Sequence, residues 1–166
     1  MEESNPMGEN EMPEYDEEFT SFASEVEGQN IMFRDGFAVN VNARQDITVN
    51  DAGAMSLVAG RDAELSDGGA MVIVAGHDME VMNGGALSMT IGGSTEITNG
   101  GALLMIGNDT TVNNGTIGIN LASNTTLGEN TKVVLDTQQA IAFGAAFGAA
   151  FAVIFGLLRA LFGRRR

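Results

Sequence analysis

Acidic and amide side chains are the residues of this chain whose spacing suggests chemistry. They form two columns that repeat about every sixteen residues. One contains Asp51, Asp67, Asn83, Asn99 and Asn114, and the other contains Asp46, Asp62, Asp78 and Asp109. Carboxylates about 5 Å apart on stacked strands repel one another unless they are screened. Because hard cations take oxygen ligands, calcium between the repeats is one interpretation. We favour the other, in which each Asx side chain hydrogen-bonds its own turn backbone, because calcium-binding β-rolls carry more acids per turn.

The remaining reactive residues do not form a catalytic or metal-binding set. The chain has no cysteine and one histidine, His77, which shares its repeat position with Arg61 and Gly93 and is expected at a surface corner. No copy of the repeat carries a long insertion or a group of acids and bases that departs from the pattern. We therefore expect a protein that is not an enzyme and holds no cofactor or metal. The net charge of −14, with Lys132 the only lysine, argues against a nucleic-acid partner.

The middle of the chain is an internal repeat. The stretch "DAGAMSLVAGRD" at 51–62 returns as "DGGAMVIVAGHD" at 67–78, and the spacing slips to fifteen near residue 107. Apolar residues alternate with polar ones inside each copy, which is typical of strands. Stacked copies bring like residues into ladders. The ladder that we expect to line the interior comprises Val49, Leu65, Val81, Ile97 and Val112.

Three further positions recur in the same register. The first is alanine, at 54, 70, 86 and 102; the other two comprise Met55, Met71, Leu87 and Leu103, and then Leu57, Ile73, Met89 and Met105. We expect inward ladders of Val, Ile, Leu and Met, with the small alanine at a tight inward corner. Neighbouring glycines would supply backbone angles that a Cβ forbids.

The period predicts the fold class. A fixed repeat of this size indicates a solenoid, and sixteen residues hold two or three short strands with Gly and Asx corners. The sequence therefore predicts an all-β protein whose residues 30–136 form a short-coil parallel β-helix. Its six to seven coils would stack about 4.8 Å apart through parallel hydrogen bonds.

The coils have the form V-x-x-x-G-G-A-L-x-M and are flanked by polar terminal tails. In this pattern, residues 31–136 resemble bactofilins, the polymer-forming β-helical cytoskeletal proteins of bacteria. The resemblance implies that uncapped coil ends stack head to head or tail to tail into filaments. It also implies membrane contact through the N-terminal tail, whereas the apolar segment of this chain lies at the other end.

Residues 1–29 form an acidic tail that is expected to be disordered, because it has few large apolar residues to bury. Phe19, Phe22, Ala23 and Val26 fall at i, i+3, i+4 and i+7, which predicts one face of a short helix. Two roles stay open for that helix. It would serve as a partner-binding motif or as a lid that caps one end of the β-helix.

Residues 137–166 are expected to anchor the protein in a membrane. The nineteen residues from Ala140 to Leu158 carry no charge, and this length is near that of a transmembrane helix. Small residues at every fourth position would let such helices approach closely, and arginines at the end would contact anionic headgroups. The association face comprises Gly144, Gly148, Ala152 and Gly156, and the headgroup contacts comprise Arg159, Arg164, Arg165 and Arg166.

The functional hypothesis is a membrane-anchored, non-enzymatic scaffold or cytoskeletal protein that self-associates through coil ends, its membrane helix or both. The last coils, "TVNNGTIGINLASNTTLGENTKVVLD", carry few charges to oppose stacking of open strand edges. We expect the β-helix on the cytoplasmic side, because no N-terminal export signal is apparent; the positive-inside rule favours the opposite topology. The alternative is an accessory or binding subunit of a larger membrane complex, with the acidic tail recruiting a basic protein.

Overall fold

A computed structural model of the chain describes residues 17–142, 144 and 145. These residues form an all-β parallel solenoid of about seven turns, with coils of about sixteen residues. A helix begins at residue 137. The strands of the described residues are β1 Glu17–Gly28, β2 Ile31–Ala43, β3 Ile47–Asn50, β4 Gly53–Ala59, β5 Ala63–Ser66, β6 Gly69–Ala75, β7 Met79–Met82, β8 Gly85–Ile91, β9 Ser94–Thr98, β10 Gly101–Asn113, β11 Thr116–Leu127 and β12 Lys132–Leu135.

Strands of successive coils pair in parallel, so the chain climbs the solenoid one coil at a time. The longer strands stack in the order β2, β4, β6, β8 and β10, and the shorter ones in the order β3, β5, β7 and β9. β10 pairs with both β8 and β9, and β2 with both β3 and β4, so the two stacks close into one structure. The predicted β-helix is confirmed at this level.

A single coil has three faces because its inward residues are interrupted by bends. In β4, Ala54 and Leu57 are buried, while Met55 and Ser56 between them are not. Strict alternation would leave one outward residue between two inward ones. The extra outward residue turns the strand through a corner. A second corner lies at Gly60, and a third at the Asx residue that precedes each glycine pair.

On each face, one residue per coil is directed outward, and these residues form a column along the rod. The glycine face presents Gly53, Gly69, Gly85 and Gly101. The second face presents Val58, Val74, Thr90, Ile106 and Leu121. The acidic face presents Glu64, Glu80 and Glu96. These three names are kept below.

The interior is a stack of apolar ladders. The five residues assigned to one ladder from the sequence, Val49, Leu65, Val81, Ile97 and Val112, are partners in register and are 0% exposed. A second buried ladder comprises Leu57, Ile73, Met89 and Met105. Burial of each such side chain is worth about 1.5–3 kcal/mol, so these ladders drive the coils together.

One apolar position faces solvent instead of the core. Met55, Met71, Leu87 and Leu103 are 43–60% exposed, because they occupy the outward side of the corner between the glycine face and the second face. The expectation that recurring Met and Leu positions all point inward is therefore wrong for this one. With Val39, which is also exposed, these residues form what we call the apolar stripe.

The left-handed backbone angles belong to Asx residues and not to glycines, contrary to expectation. Among the described residues, no glycine has positive φ, whereas the corner residue of each coil from Asp35 onward has φ between 50° and 54°, and Ser21 of the first rung has φ 135°. Asp and Asn tolerate this region better than other L-residues do. The set comprises Asp35, Asp51, Asp67, Asn83, Asn99, Asn114 and Asn130.

Glycine is required where successive coils approach most closely. A Cβ added to Gly76 would lie 2.1 Å from the carbonyl oxygen of Gly60 in the preceding coil. A Cβ added to Gly92 would meet the oxygen of Gly76 at the same distance. The corner at Gly60 is therefore built on backbone contact between coils, with no room for a side chain.

The slip from sixteen to fifteen residues is a deletion at this same corner. Ile106 pairs with Thr90 and Asp109 with Ser94, so two residues of β10 stand where three stand in the preceding coil. Asn108 Nδ2 donates to the carbonyl oxygen of Gly92, which holds the shortened corner to the coil before it. The inward register is kept, because Val112 still lies beside Ile97.

Amide side chains link the Asx corners along the rod. Asn99 Nδ2 donates to Asn83 Oδ1 at 3.2 Å, and Asn114 Nδ2 donates to Asn99 Oδ1 at 2.5 Å. An Asn at this position therefore supplies both a tolerated left-handed backbone and two hydrogen bonds to neighbouring coils.

Substitution of Asn99 separates these two contributions. Asn99→Gly keeps the backbone angle and loses the amide bonds, so we expect a loss of about 1–2 kcal/mol in the free energy of unfolding. Asn99→Ala loses the same bonds, and alanine tolerates the left-handed region less well than glycine or asparagine, which adds about 1–2 kcal/mol relative to the glycine variant. Thermal melting followed by circular dichroism should rank the parent above the glycine variant and the glycine variant above the alanine variant. Equal melting of all three would contradict the ladder.

The first rung corrects the expected N-terminal helix. Glu17–Gly28 is strand β1, which pairs in parallel with β2 and places Ala23 beside Ala38 and Val26 beside Val41. The solenoid therefore includes residues 17–28 and does not begin at residue 30. Spacings of three and four arise here because the corner separates inward residues by three, which imitates a helical period.

The C-terminal apolar segment lies largely outside the described residues. The helix that begins at 137 is described as far as residue 145, except for 143. Within the described part of the chain, no helix is both long and apolar enough to span a bilayer. The expected membrane helix thus stays a prediction from the sequence.

Candidate functional site

The C-terminal end of the solenoid exposes a strand edge. β11 forms the last complete coil, and β12 covers only its first part, pairing with Thr116, Ile117 and Ile119. The rest of β11 has a strand neighbour on one side only, within the part of the chain that the structure describes. Leu127 extends the inward ladder beyond Val112, has no strand partner on its other side among the described residues, and is 50% exposed.

The start of the C-terminal helix covers part of this end. Asp136 Oδ1 accepts a hydrogen bond of 2.8 Å from the backbone N–H of Gln139, which is an N-cap. The hydroxyl of Thr137 donates to the carbonyl oxygens of Asn120 and Ala122 and so satisfies part of the edge. The described part of the chain leaves the stretch 123–127, "SNTTL", without a strand partner on this side; it carries no charge and its residues are all exposed.

A cavity of about 460 Å³ opens beside this uncovered stretch. Asn120 lines it, is 2% exposed, and donates from Nδ2 to Thr125 Oγ1 at 2.8 Å. Its Oδ1 atom has no hydrogen-bond partner among the described residues. A buried acceptor without a donor costs about 1–3 kcal/mol, so the end of the rod gains stability from a group that donates to it.

The N-terminal end of the solenoid differs in charge from the C-terminal end. β1 has a strand neighbour only in β2 among the described residues, so its other edge is also unpaired. This edge carries Glu25 and Glu27, and charged side chains on an edge oppose pairing with another chain. The exposed stretch 123–127 at the C-terminal end carries no charge. The two ends are therefore not equivalent.

The acidic face is the most strongly charged part of the described surface. Glu64, Glu80 and Glu96 are stacked in register beside a groove of about 480 Å³. Arg61 lies at its margin, with Nε 3.7 Å from Asp46 Oδ1 and Nη2 3.7 Å from Asp62 Oδ2. One arginine leaves most of this negative charge uncompensated, and salt is expected to screen it.

The Asx column that includes Asp46 hydrogen-bonds between coils. The backbone N–H of Asp62 donates to Asp46 Oδ1 at 3.2 Å, that of Asp78 to Asp62 Oδ1 at 3.1 Å, and that of Ser94 to Asp78 Oδ1 at 2.7 Å. The acceptor thus serves the next coil and not its own turn, which corrects the favoured interpretation. In residues 17–142, 144 and 145, no group of three or more acidic or histidine side chains is placed to hold a metal ion.

The predicted association and headgroup residues are described only at Gly144. It lies in the helix, is exposed, and an added Cβ would meet nothing within 4 Å. The others, Gly148, Ala152, Gly156, Arg159, Arg164, Arg165 and Arg166, lie outside the described residues. His77 is exposed at the corner expected for it.

Two features of the end were not assigned from the sequence. Asn120 takes the ladder position of Met105, and a polar residue at an otherwise apolar position is a signal that the repeat alignment could have given. Leu127 continues the ladder of Val112, but its exposure depends on where coverage stops, which the repeat does not show.

Neither a protein family, a curated protein nor a solved structure matches the chain.

Proposed function

We propose that this chain is a non-enzymatic, membrane-anchored β-helical scaffold that self-associates through the C-terminal end of its solenoid. The observation that carries the proposal is the uncharged edge at 123–127, which has no strand partner on its outer side among the described residues and ends in the half-exposed Leu127. Unpaired backbone N–H and C=O groups on an edge favour the addition of another strand. The resemblance of the coils to bactofilins supports the same kind of assembly.

The difference between the two ends supports a discrete pair over an open filament. A filament needs both ends to stack, but β1 carries Glu25 and Glu27 on its edge, whereas the stretch 123–127 carries no charge. Two C-terminal ends can meet about a two-fold axis, with like edges pairing antiparallel. Such a contact also offers donors from the partner to Asn120 Oδ1.

The anchor is proposed from the uncharged run Ala140–Leu158, which has the length of a membrane-crossing helix. Its small residues at every fourth position would let two anchors pack together. Anchoring raises the effective concentration of the rods, so a small end contact would suffice for association. We place the solenoid on the cytoplasmic side.

Leu127→Glu should separate the paired rods. The new carboxylate lies on the bare edge, where a two-fold contact sets it against its counterpart. We expect the particles of the full-length chain in detergent micelles to shorten from about 70 Å, two rods end to end, to about 35 Å, the length of one rod, given about 4.8 Å per coil. Negative-stain electron microscopy measures this, and an unchanged melting curve establishes that the rod is folded.

Thr90→Glu is the matched control, because Thr90 is an exposed strand residue in the middle of the rod. It should leave the particles paired. Particles about 70 Å long that persist in Leu127→Glu would contradict the end contact. A parent chain that is strictly single until a second protein is added would favour the accessory-subunit alternative, and long filaments would show that the N-terminal end also stacks.

A further inference from the structure

The apolar stripe is the largest run of exposed apolar side chains in the described part of the solenoid. It follows the corner beside the glycine face from Val39 to Leu103, one residue per coil. Single exposed apolar residues are ordinary on a protein surface, but contiguous patches mark interaction sites. The repeat has kept Met or Leu at this outward position in four consecutive coils, from Met55 to Leu103.

In the column of residues beside the apolar stripe, side-chain size varies from rung to rung, and it is large where the stripe residue is small. From the first rung onward it comprises Phe22, Phe37, Gly53, Gly69, Gly85, Gly101 and Thr116. At the same rungs the stripe position holds Ser24, Val39, Met55, Met71, Leu87, Leu103 and Gly118, as the flanking pairs show. A large residue in one column thus accompanies a smaller one in the other at every rung.

Two aromatic rings mark the end of the small-residue column. Phe22 and Phe37 are stacked with centroids 6.4 Å apart, and both are exposed. The ring of Phe37 lies over Gly53, where an added Cβ would meet Phe37 Cδ2 at 3.2 Å. The surface is therefore a projecting apolar ridge beside a shallow glycine groove, and the two rings close the groove at its N-terminal end.

We propose that two copies of this chain pair side by side, with the apolar stripe of each lying in the glycine groove of the other. A two-fold axis parallel to the rods sets the ridge of one copy opposite the groove of its partner. In register, every rung then combines one large and one small residue, such as Met55 with Gly53 and Phe22 with Ser24. Rods paired in this way are parallel, with both C-terminal ends on the same side.

Charge also favours a second copy as the occupant. Each chain has a net charge of −14, so two copies repel unless they meet where neither is charged. Neither column contains a charged residue from the first rung to Gly118, whereas the acidic face presents a glutamate in three consecutive coils. The stripe and groove are thus a surface across which two like-charged rods can approach.

The area predicts a weak interface that anchoring would strengthen. Six steps of about 4.8 Å and a width of about five residues give on the order of 450 Å² per copy. Stable complexes bury about 800 Å² per partner, so this contact belongs among the weak ones. The pairing does not depend on the end contact at Leu127, and the two can be broken separately.

Cysteine cross-linking in the full-length chain tests the arrangement, since the protein has no cysteine of its own. In a parallel pair, the residues introduced by Met55→Cys lie at the same rung on either side of the axis, and so do those introduced by Leu103→Cys. A bis-maleimide that spans about two strand spacings, roughly 10 Å, should link each variant to itself in detergent micelles. Met82→Cys, on the outward side of the acidic face, is the matched control and should link at least ten-fold less.

Charge on the stripe should abolish the link. Met71→Glu added to Met55→Cys is expected to lower the cross-linked fraction at least ten-fold, whereas Met82→Glu and Leu127→Glu should leave it unchanged. Circular dichroism checks that each variant is folded. Links no stronger than those of Met82→Cys would overturn the proposal, as would a link that survives Met71→Glu. Linking of Met55→Cys chains only to Leu103→Cys chains would overturn the parallel arrangement.

Discussion

Val81→Asp is expected to abolish the cooperative melting of the solenoid. Val81 is 0% exposed and lies in register between Leu65 and Ile97, in the middle of the longest inward ladder. A carboxylate there has apolar neighbours above and below, and burial of an unpaired charge costs several kcal/mol. Loss of the valine side chain adds about 1–2 kcal/mol, so the total is comparable to the whole stability of a domain this size.

The measurement is far-ultraviolet circular dichroism with thermal melting. Met82→Asp is the matched control, because Met82 is the next residue of the same strand and is directed outward. It should keep the β spectrum and melt within a few degrees of the parent. A Val81→Asp chain that retains both the spectrum and the melting temperature would show that this ladder does not line the core.

Gly76→Ala is expected to have the second-largest effect. The added methyl would lie 2.1 Å from the carbonyl oxygen of Gly60 and 3.0 Å from its carbon. Both atoms belong to the backbone of the adjacent coil, so the clash is relieved only by separating the coils. We expect a loss of about 3 kcal/mol, which lowers the melting temperature by roughly 10 °C.

Gly69→Ala tests whether the effect comes from the site or from the loss of a glycine. An added Cβ at Gly69 has its nearest contact at 3.4 Å, with the oxygen of Gly85, which is ordinary packing. The variant should melt within about 0.5 kcal/mol of the parent, because it only restricts the unfolded chain. Equal losses at Gly69 and Gly76 would contradict the close approach of coils at the Gly60 corner.

The period of the sequence was sufficient to predict the coil and its main ladder. Side chains in strands alternate between two faces, so a repeat that keeps Val, Leu or Ile at one position in every coil identifies an inward column. The ladder through Val81 follows from this alone. The last coils could also be identified as poor in charge, which is where the open edge lies.

The corners limited what the sequence could show. At Met55 and Ser56 two successive residues face outward, so the alternation of inward and outward residues fails. An apolar residue that recurs in every coil can therefore lie on the outer side of a bend as well as in the core. The same geometry separates Ala23 from Val26 by three residues, which imitates a helix in the acidic tail. The surroundings of Asn120 and Leu127 depend on where β12 stops pairing with β11, and no local sequence pattern indicates that position.

The lattice of parallel pairings also makes the length of the rod adjustable. Each strand pairs only with strands of the coils directly before and after it in the described residues, so duplication of one sixteen-residue unit such as 67–82 would insert a coil without disturbing the others. Every duplication would lengthen the molecule by about 4.8 Å and leave both termini unchanged. The number of coils therefore sets, in steps of one coil, the distance between groups attached at the two ends of the solenoid.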